Sequence, residues 1–187
     1  MLRIGIVGCG QVAVLHRETI EISDQWELAG IADIDPVRLE QVRQAHGLEH
    51  AYLDYRELIE KVELDALVVS THLATHHRIT MDALDAGLHV LCEKPMAETV
   101  EQCREMVEKA AEKKRLLAIN FNTRSSPLYR KFKEIIDSGV LGKIRVVRFV
   151  FNWSCHQWRP PERLKNFMLG GGPIIDSAVH FFEGVRW

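Results

Sequence analysis

The stretch Arg3-Ile4-Gly5-Ile6-Val7-Gly8-Cys9-Gly10-Gln11-Val12-Ala13 begins as an apolar run and ends in closely spaced glycines. The run predicts a buried strand, and the pattern after Ala13 predicts a helix. A G-x-G-x-x-A arrangement between a strand and a helix is typical of dinucleotide-binding turns, although a plain strand-to-helix turn stays open as the alternative. In the binding role Gly8 allows the tight turn, Gly10 lets the backbone approach a pyrophosphate, and Ala13 lets the helix pack closely on the sheet. The candidate cofactor-binding residues in this stretch are therefore Gly8, Gly10, Gln11, Val12 and Ala13.

Apolar runs and helical patterns alternate after this turn. Further strands are predicted over residues 26–32, 65–70, 88–92 and 116–121. A capping box, Thr99-Val100-Glu101-Gln102, predicts the start of a long helix. Its predicted inner face carries Val100, Cys103, Met106, Val107 and Ala110. Strands that alternate with helices imply parallel pairing and right-handed crossovers, so we predict an α/β fold with a doubly wound parallel sheet over residues 1–121.

An acidic residue, Asp33, ends the second predicted strand. An acid in this position, about 20 residues beyond the glycines, accepts hydrogen bonds from the ribose hydroxyls of NAD. Its charge would repel the 2′-phosphate of NADP, so NAD is the predicted cofactor and NADP is less favoured. The alternative is that Asp33 only caps the turn, a role for which Asp35, just before Pro36, competes.

Two more segments end at the carboxyl edge of the predicted sheet, where open α/β sheets bind ligands. The strand over residues 88–92 delivers Glu93-Lys94-Pro95, a charged pair followed by proline. Thr71 and His76 follow the strand over residues 65–70, and we expect both to face the cofactor. His72 and His77 could join His76 in a metal cluster, but no nearby Cys or carboxylate completes such a site, so no metal is predicted.

The pattern changes after residue 121. Pro127 begins a predicted helix with Leu128, Phe132, Ile135 and Ile136 inward, and a long strand is predicted over residues 143–153. Gly170-Gly171-Gly172 then precedes a helix that carries Asp176 and His180, four residues apart on one face. We therefore predict a second, incomplete α+β domain over residues 122–187.

Composition excludes several classes of function. A formal charge of −2 without a basic stripe argues against nucleic acid as the main partner. No apolar stretch approaches the roughly 20 residues that span a bilayer, and no signal-peptide pattern opens the chain, so a cytoplasmic protein without a membrane partner is predicted. The four cysteines form no C-x-x-C pair and are predicted to be ordinary reduced thiols.

Together these motifs resemble those of the Gfo/Idh/MocA family of NAD(P)-dependent oxidoreductases. The resemblance rests on Gly8-x-Gly10-x-x-Ala13, Thr71 with His76, Glu93-Lys94-Pro95, Arg124 before Ser126-Pro127, Gly170-Gly171-Gly172 and Asp176-x-x-x-His180. It implies an N-terminal Rossmann domain and a C-terminal domain that often forms the oligomer interface, hence a homo-oligomer. It also implies that the proline of E-K-P follows a cis peptide bond. Further candidate cofactor-binding residues are Asp33, Thr71, His76, Glu93, Lys94 and Arg124.

The resemblance implies hydride transfer between NAD and a hydroxyl carbon of a sugar, cyclitol or related polyol. Lys94 would lie beside the nicotinamide and bind the reacting hydroxyl, His180 would act as the base, and Asp176 would hold substrate or stabilise charge. An imidazole suits a base near neutral pH. Glu93 is expected to anchor Lys94 or its loop. The alternatives are an NAD-dependent glycosidase of the same family and a non-catalytic NAD-binding or regulatory paralogue.

Two features depart from the family pattern. His72 stands where the family usually has a proline after the threonine, so the loop beside the nicotinamide is expected to differ in shape. Family members continue for several strands after the helix of His180, whereas this sequence stops at Trp187. We therefore expect either a fragment of a longer protein or a shortened paralogue that needs a partner.

Overall fold

A computed structural model describes residues 1–150, 172 and 174–187 of the chain. The chain divides into two compact units, Met1–Asn120 and Phe121–Trp187. Among the described residues, no helix is long and apolar enough to cross a membrane.

The first unit is built on a six-stranded parallel sheet. The strands are β1 (Leu2–Val7), β2 (Trp26–Ala32), β3 (Ala51–Tyr52), β4 (Ala66–Val69), β5 (His89–Cys92) and β6 (Leu117–Ile119). Their order in the sheet is β3-β2-β1-β4-β5-β6, and every neighbouring pair is parallel. The chain moves outward from β1 in one direction and then returns to β4 on its other side. This order confirms the predicted doubly wound α/β fold, and it puts a topological switch point between β1 and β4.

Five helices cover the two faces of this sheet. They are α1 (Gln11–Glu21), α2 (Pro36–Ala45), α3 (Tyr55–Lys61), α4 (Leu73–Asp85) and α5 (Val100–Lys113). The Asp35 side chain accepts hydrogen bonds from the first backbone N–H groups of α2, and Pro36 occupies the first turn of this helix. Thr99 caps α5 by accepting from the Gln102 N–H at 3.2 Å.

Alternate strand residues separate the core into two clusters. Ile6, Ile31 and Val68 pack with α1 and α2, while their strand neighbours pack with α3, α4 and α5 on the opposite face. Because successive side chains of a strand point to opposite faces, continuous apolar strands are what a sheet covered on both sides requires. The rigid sheet holds the loops at its carboxyl edge in fixed positions.

The described residues of the second unit are helical or irregular. They include a 3₁₀ turn (Asn122–Ser125), α6 (Pro127–Asp137), a π-helix (Ile174–Ala178) and α7 (Val179–Arg186). Leu128, Phe132 and Ile136 of α6 are 45–61% exposed, so the prediction that they point inward is wrong for the described part of the chain.

The long strand predicted over residues 143–153 is not found where the structure describes it. Residues 144–150 carry no strand, and residues 151–153 lie outside the described residues. A strand is defined by hydrogen bonds to a neighbour, and the described residues of this unit supply no neighbouring strand. Apolar and β-branched composition alone therefore does not make this segment a strand.

Candidate functional site

The loops at the carboxyl edge of the sheet are tied together by backbone hydrogen bonds. The Gly8 N–H donates to the Ala32 carbonyl at 2.8 Å, and the Glu93 N–H donates to the Val69 carbonyl at 2.9 Å. The Asn120 N–H donates in the same way to Cys92, at 2.9 Å. The glycine turn, Asp33, the Glu93 segment and Asn120 therefore lie along one edge of one sheet. In open α/β sheets this edge forms the ligand crevice.

Gly8 and Gly10 are glycines for different structural reasons. Gly8 has a φ of +92°, and a Cβ there would lie 2.5 Å from the Ser70 carbonyl oxygen, so the packing of the chain itself excludes a side chain. At Gly10 a Cβ would meet nothing within 4 Å. Gly10 also precedes α1 without any side-chain cap on the first N–H groups of the helix. An uncapped helix start behind an open glycine fits a pyrophosphate, which both the N–H groups and the helix dipole attract.

Asp33 is buried and holds the glycine turn in place. Its Oδ2 accepts a hydrogen bond from the Cys9 N–H at 2.6 Å, and its Oδ1 accepts from the Asp35 N–H at 2.8 Å. The Arg38 guanidinium, which is about half exposed, lies 3.6 Å from Asp33 and 3.2 Å from Asp35. Asp33 is therefore a structural anchor of the turn, in addition to any contact with a ligand.

His76 lies between the two loops that follow β4 and β5. It is 2% exposed, and its Nδ1 and Nε2 lie 2.8 Å from the Pro95 carbonyl oxygen and 3.2 Å from the Thr71 carbonyl oxygen. Burial lowers the pKa of His76, although both carbonyl contacts act in the opposite direction. The Thr71 hydroxyl accepts from the Thr75 hydroxyl at 2.7 Å. These contacts are those of residues that fix the two loops to each other, and the expectation that they face a cofactor stays a prediction.

The Glu93 side chain contacts residues from three parts of the chain. His16 Nε2 of α1 lies 2.7 Å from Glu93 Oε1, and Asn120 Nδ2 donates to the same oxygen at 2.6 Å. The Lys94 N–H contacts the other oxygen, Oε2, at 3.3 Å. Burial acts to raise the pKa of Glu93, but the hydrogen bonds from His16 and Asn120 outweigh it, and the pKa is lowered. Glu93 is thus held as a carboxylate between α1, β6 and its own loop.

Lys94 follows Glu93 directly and is partly buried. The peptide bond from Lys94 to Pro95 is cis, as the resemblance implies. The backbone of Lys94 is fixed on one side by Glu93 and on the other by the Pro95 carbonyl that His76 contacts. A single ammonium group is therefore presented from a loop whose position is defined by buried neighbours.

In the second unit, Arg124 forms an ion pair with Glu183, and its guanidinium lies 5.4 Å from the centre of the Trp187 ring. The His180 ring contacts Phe121 edge-on, with centroids 5.9 Å apart. Asp176 lies in the π-helix, where the structure describes its backbone only. The predicted roles of Arg124, Asp176 and His180 stay predictions.

Comparison with known proteins agrees with this geometry. Residues 2–121 match an oxidoreductase family with an NAD-binding Rossmann fold, Gfo/Idh/MocA, and residues 129–187 match the C-terminal domain of the same family. The chain belongs to the Gfo/Idh/MocA family.

Curated and solved members of the Gfo/Idh/MocA family resemble the chain over most of its length. It is 31% identical over 186 residues to a myo-inositol 2-dehydrogenase of Thermotoga maritima, covering 100% of this chain and 54% of that protein. The crystal structure of a probable dehydrogenase from Thermotoga maritima superposes with a TM-score of 0.84 at 29% identity, covering 99% of this chain and 54% of that one. A Lactobacillus casei scyllo-inositol dehydrogenase, solved with NAD(H) and scyllo-inositol, gives a TM-score of 0.72 at 26% identity over 76% of this chain and 42% of that one. The chain therefore spans about half the length of the curated relatives it matches.

The buried cysteines that the structure describes in this Gfo/Idh/MocA chain are in environments that disfavour the reactive thiolate form. Burial, followed by the charge of Asp33, raises the pKa of the Cys9 thiol to about 12. Burial likewise raises the pKa of Cys92 to about 12. Cys155 lies outside the described residues. Within residues 1–150 and 174–187, no group of three or more His, Cys, Asp or Glu side chains could hold a metal ion, and His77 instead lies 2.7 Å from Glu105.

Two members of the Glu93 cluster are absent from the residues predicted from the sequence. Asn120 directly follows β6, and a polar residue at the carboxyl end of a strand is a signal that could have identified it. His16 lies three residues after Ala13 on α1 and carries no comparable signal. Only the crossing of α1 past the end of β5 brings His16 to Glu93.

Proposed function

We propose that this Gfo/Idh/MocA chain contributes the cofactor half of an NAD-dependent dehydrogenase that oxidises a hydroxyl carbon of a cyclitol, sugar or related polyol. One observation carries the proposal. The glycine turn with the uncapped start of α1 and the Glu93-Lys94-Pro95 segment lie at the same edge of the sheet, on either side of the switch point. The inositol dehydrogenases among the relatives support the class of substrate.

We infer that NAD is preferred over NADP. Asp33 places a buried carboxylate at the end of β2, where it would accept from the ribose hydroxyls and repel a 2′-phosphate. Arg38 lies beside it and is a cation that could bind a phosphate. In this structure Arg38 is shared between the carboxylates of Asp33 and Asp35, so its charge is already compensated. The balance at this point therefore favours the cofactor without the phosphate.

In the proposed reaction, bound NAD supplies the hydride acceptor. Lys94 places a cation beside the reacting hydroxyl and favours the negative charge that develops on its oxygen. His180 takes the hydroxyl proton as general base, and Asp176 binds substrate or stabilises charge near His180. Glu93 stays ionised and holds the Lys94 loop. Gln11, Val12, Thr71, His76 and Arg124 complete the proposed cofactor-binding set.

The second unit is proposed to belong to the substrate and oligomerisation domain, with the boundary after residue 121. Its described residues expose many large apolar side chains, including Phe132, Val146 and Phe182. Exposed apolar area on this scale is typical of surfaces that are covered in the complete protein. Assembly into a homo-oligomer and a cytoplasmic location stay predictions.

The test is NAD and NADP binding by calorimetry, followed by a polyol panel assayed for free NADH in the complete protein. Lys94→Ala and His180→Ala should both lose turnover, and His180→Ala should keep NAD binding. Lys61→Ala, which changes an exposed lysine paired with Glu57 on α3, should keep both NAD binding and turnover. Full activity in Lys94→Ala or His180→Ala would remove the corresponding assignment. NAD binding without turnover of any polyol would favour the non-catalytic alternative, and turnover of glycosides without free NADH would favour the glycosidase.

A further inference from the structure

The carboxylate of Glu93 is buried at the junction between the nucleotide turn and the E-K-P segment. Its side chain is 9% exposed, and that of its partner His16 is 12% exposed. A buried carboxylate is unfavourable unless it is hydrogen-bonded and paired. The residues that meet this need come from separate elements, namely α1 for His16 and the end of β6 for Asn120.

The two oxygens of Glu93 have different tasks. Oε1 receives His16 and Asn120, at 2.7 Å and 2.6 Å. Oε2 is thereby turned toward the Lys94 N–H, at 3.3 Å. Through this carboxylate, the position of α1 therefore helps to fix the position of the Lys94 backbone. Among these contact residues, His16 is the one that lies on α1, the helix that starts at the proposed phosphate-binding turn.

The charges around the carboxylate explain why His16 matters more than a neutral packing residue would. Burial raises the pKa of Glu93, whereas the hydrogen bonds of His16 and Asn120 and the charge of His16 lower it. His76 of α4 also interacts electrostatically with Glu93, and Cys92 is its neighbour in the chain. Without His16, burial is opposed mainly by Asn120. A protonated Glu93 carries an O–H that competes with the contacts orienting it.

We propose that His16 is a positioning residue of the reaction. Its imidazole orients the Glu93 carboxylate, the carboxylate fixes the Lys94 amide, and α1 thereby sets both the dinucleotide site and the aim of the Lys94 ammonium group. The inference rests on the proposed dehydrogenase function. It assigns a role to His16 that neither the glycine motif nor the E-K-P motif contains.

His16→Gln and His16→Leu separate orientation from packing. The amide nitrogen of glutamine reaches a position similar to that of His Nε2, so His16→Gln keeps a donor for Glu93, whereas His16→Leu removes it. A misplacement of a catalytic group by about 1 Å can cost about 100-fold in rate. We expect His16→Leu to lower kcat by about 10- to 100-fold with little change in the Kd for NAD, and His16→Gln to recover most of the loss.

The matched control is His46→Ala. His46 also pairs with a glutamate of α1, Glu21, but this pair joins α1 to the end of α2 and does not contact the E-K-P segment. We expect His46→Ala to keep kcat, the Kd for NAD and the backbone amide chemical shift of Lys94. In His16→Leu the Lys94 amide shift should move, and the acid limb of the kcat profile should move to higher pH.

Two results separate this inference from the proposed function. A wild-type protein that neither binds NAD nor oxidises polyols contradicts the function, while the Lys94 amide shift still tests the link from His16 to Lys94. A His16→Leu protein that folds and matches His46→Ala in kcat, pH profile and Lys94 shift overturns the inference. Failure of His16→Gln to recover kcat when His16→Leu has lost it also overturns the orienting role.

Discussion

Replacing Asp33 by Asn tests whether this residue anchors the glycine turn as well as selecting the cofactor. In the structure its two oxygens each accept one backbone N–H, from Cys9 at 2.6 Å and from Asp35 at 2.8 Å. Asparagine has a single acceptor oxygen, so one of these two donors loses its partner. A buried donor without a partner costs about 1–3 kcal/mol.

The other contact of Asp33 adds little to this figure. Arg38 lies 3.6 Å away, is about half exposed and keeps Asp35 as a partner at 3.2 Å, so loss of the pair costs less than about 1 kcal/mol. We therefore expect Asp33→Asn to destabilise the protein by about 1–3 kcal/mol, which lowers Tm by roughly 2–12 °C for a domain of this size. The Kd ratio of NADP to NAD should fall by about tenfold or more, because the repelling charge is gone.

Asp54→Asn is the control for this experiment. Asp54 is also an acid just after a strand, β3, but it caps α3 by accepting from the Arg56 N–H at 2.9 Å on an exposed surface. Asparagine caps helices as well as aspartate does, so its unfolding free energy should change by less than about 0.5 kcal/mol. Urea unfolding and calorimetric titration with each cofactor measure both effects. Equal stability of the two variants would refute the anchoring role of Asp33.

Three further predictions follow from the same unit. Gly8→Ala should destabilise this unit by more than about 2 kcal/mol in urea unfolding, because Gly8 has a positive φ and an added Cβ would clash with the backbone. Gly10→Ala should keep the stability of the unit and weaken NAD binding by about tenfold or more. The pKa of Glu93 is lowered from its ordinary value of 4.5, so the contribution of its carboxylate to stability is present above pH 4.5 and is lost as the pH falls through the pKa of the folded protein. The difference in unfolding free energy between wild type and Glu93→Gln should therefore shrink on acidification. A difference that stays constant with pH would contradict this prediction. Met106→Ala, at a fully buried position, should cost about 2–5 kcal/mol, while Val107→Ala next to it, which is 57% exposed, should change stability by less than about 0.5 kcal/mol by the same measurement.

The sheet was predictable because its strands are apolar on both faces and are separated by helices of ordinary length. The strand over residues 26–32 has the predicted bounds. The bounds of β4 and β6 differ from the predicted ones by one or two residues at each end, and β5 starts one residue later and ends as predicted. β3 was missed, because a strand of two residues is too short to carry a periodic pattern. The second unit was predicted less well, since a strand and a buried helix face both depend on partners that a local pattern cannot supply.

Helix α5 illustrates the limit of local patterns in the well-predicted unit. Thr99 caps the helix as predicted, but the Gln102 side chain accepts from the Glu98 N–H at 3.1 Å and does not complete the box with Thr99. Met106 and Ala110 are buried as predicted, whereas Val100 and Val107 are exposed. The buried stripe is narrower than the apolar stripe, because α5 lies at the side of the sheet where only one helix, α4, packs against it closely.

The candidate site shows the same division between motif and packing. Gly8, Gly10, Asp33 and the E-K-P segment follow from strand ends, and a strand end is visible in a sequence. The link from His16 to Glu93 spans 77 positions and depends on the angle at which α1 crosses the sheet. Since a carboxylate as buried as Glu93 must be paired, its partner has to come from an element packed against the edge, and α1 is the helix that also starts at the glycine turn. Because burial makes an unpaired Glu93 carboxylate unfavourable, Glu93 needs its partner on α1. This pairing links the position of Lys94 to the helix at whose start the dinucleotide is proposed to bind.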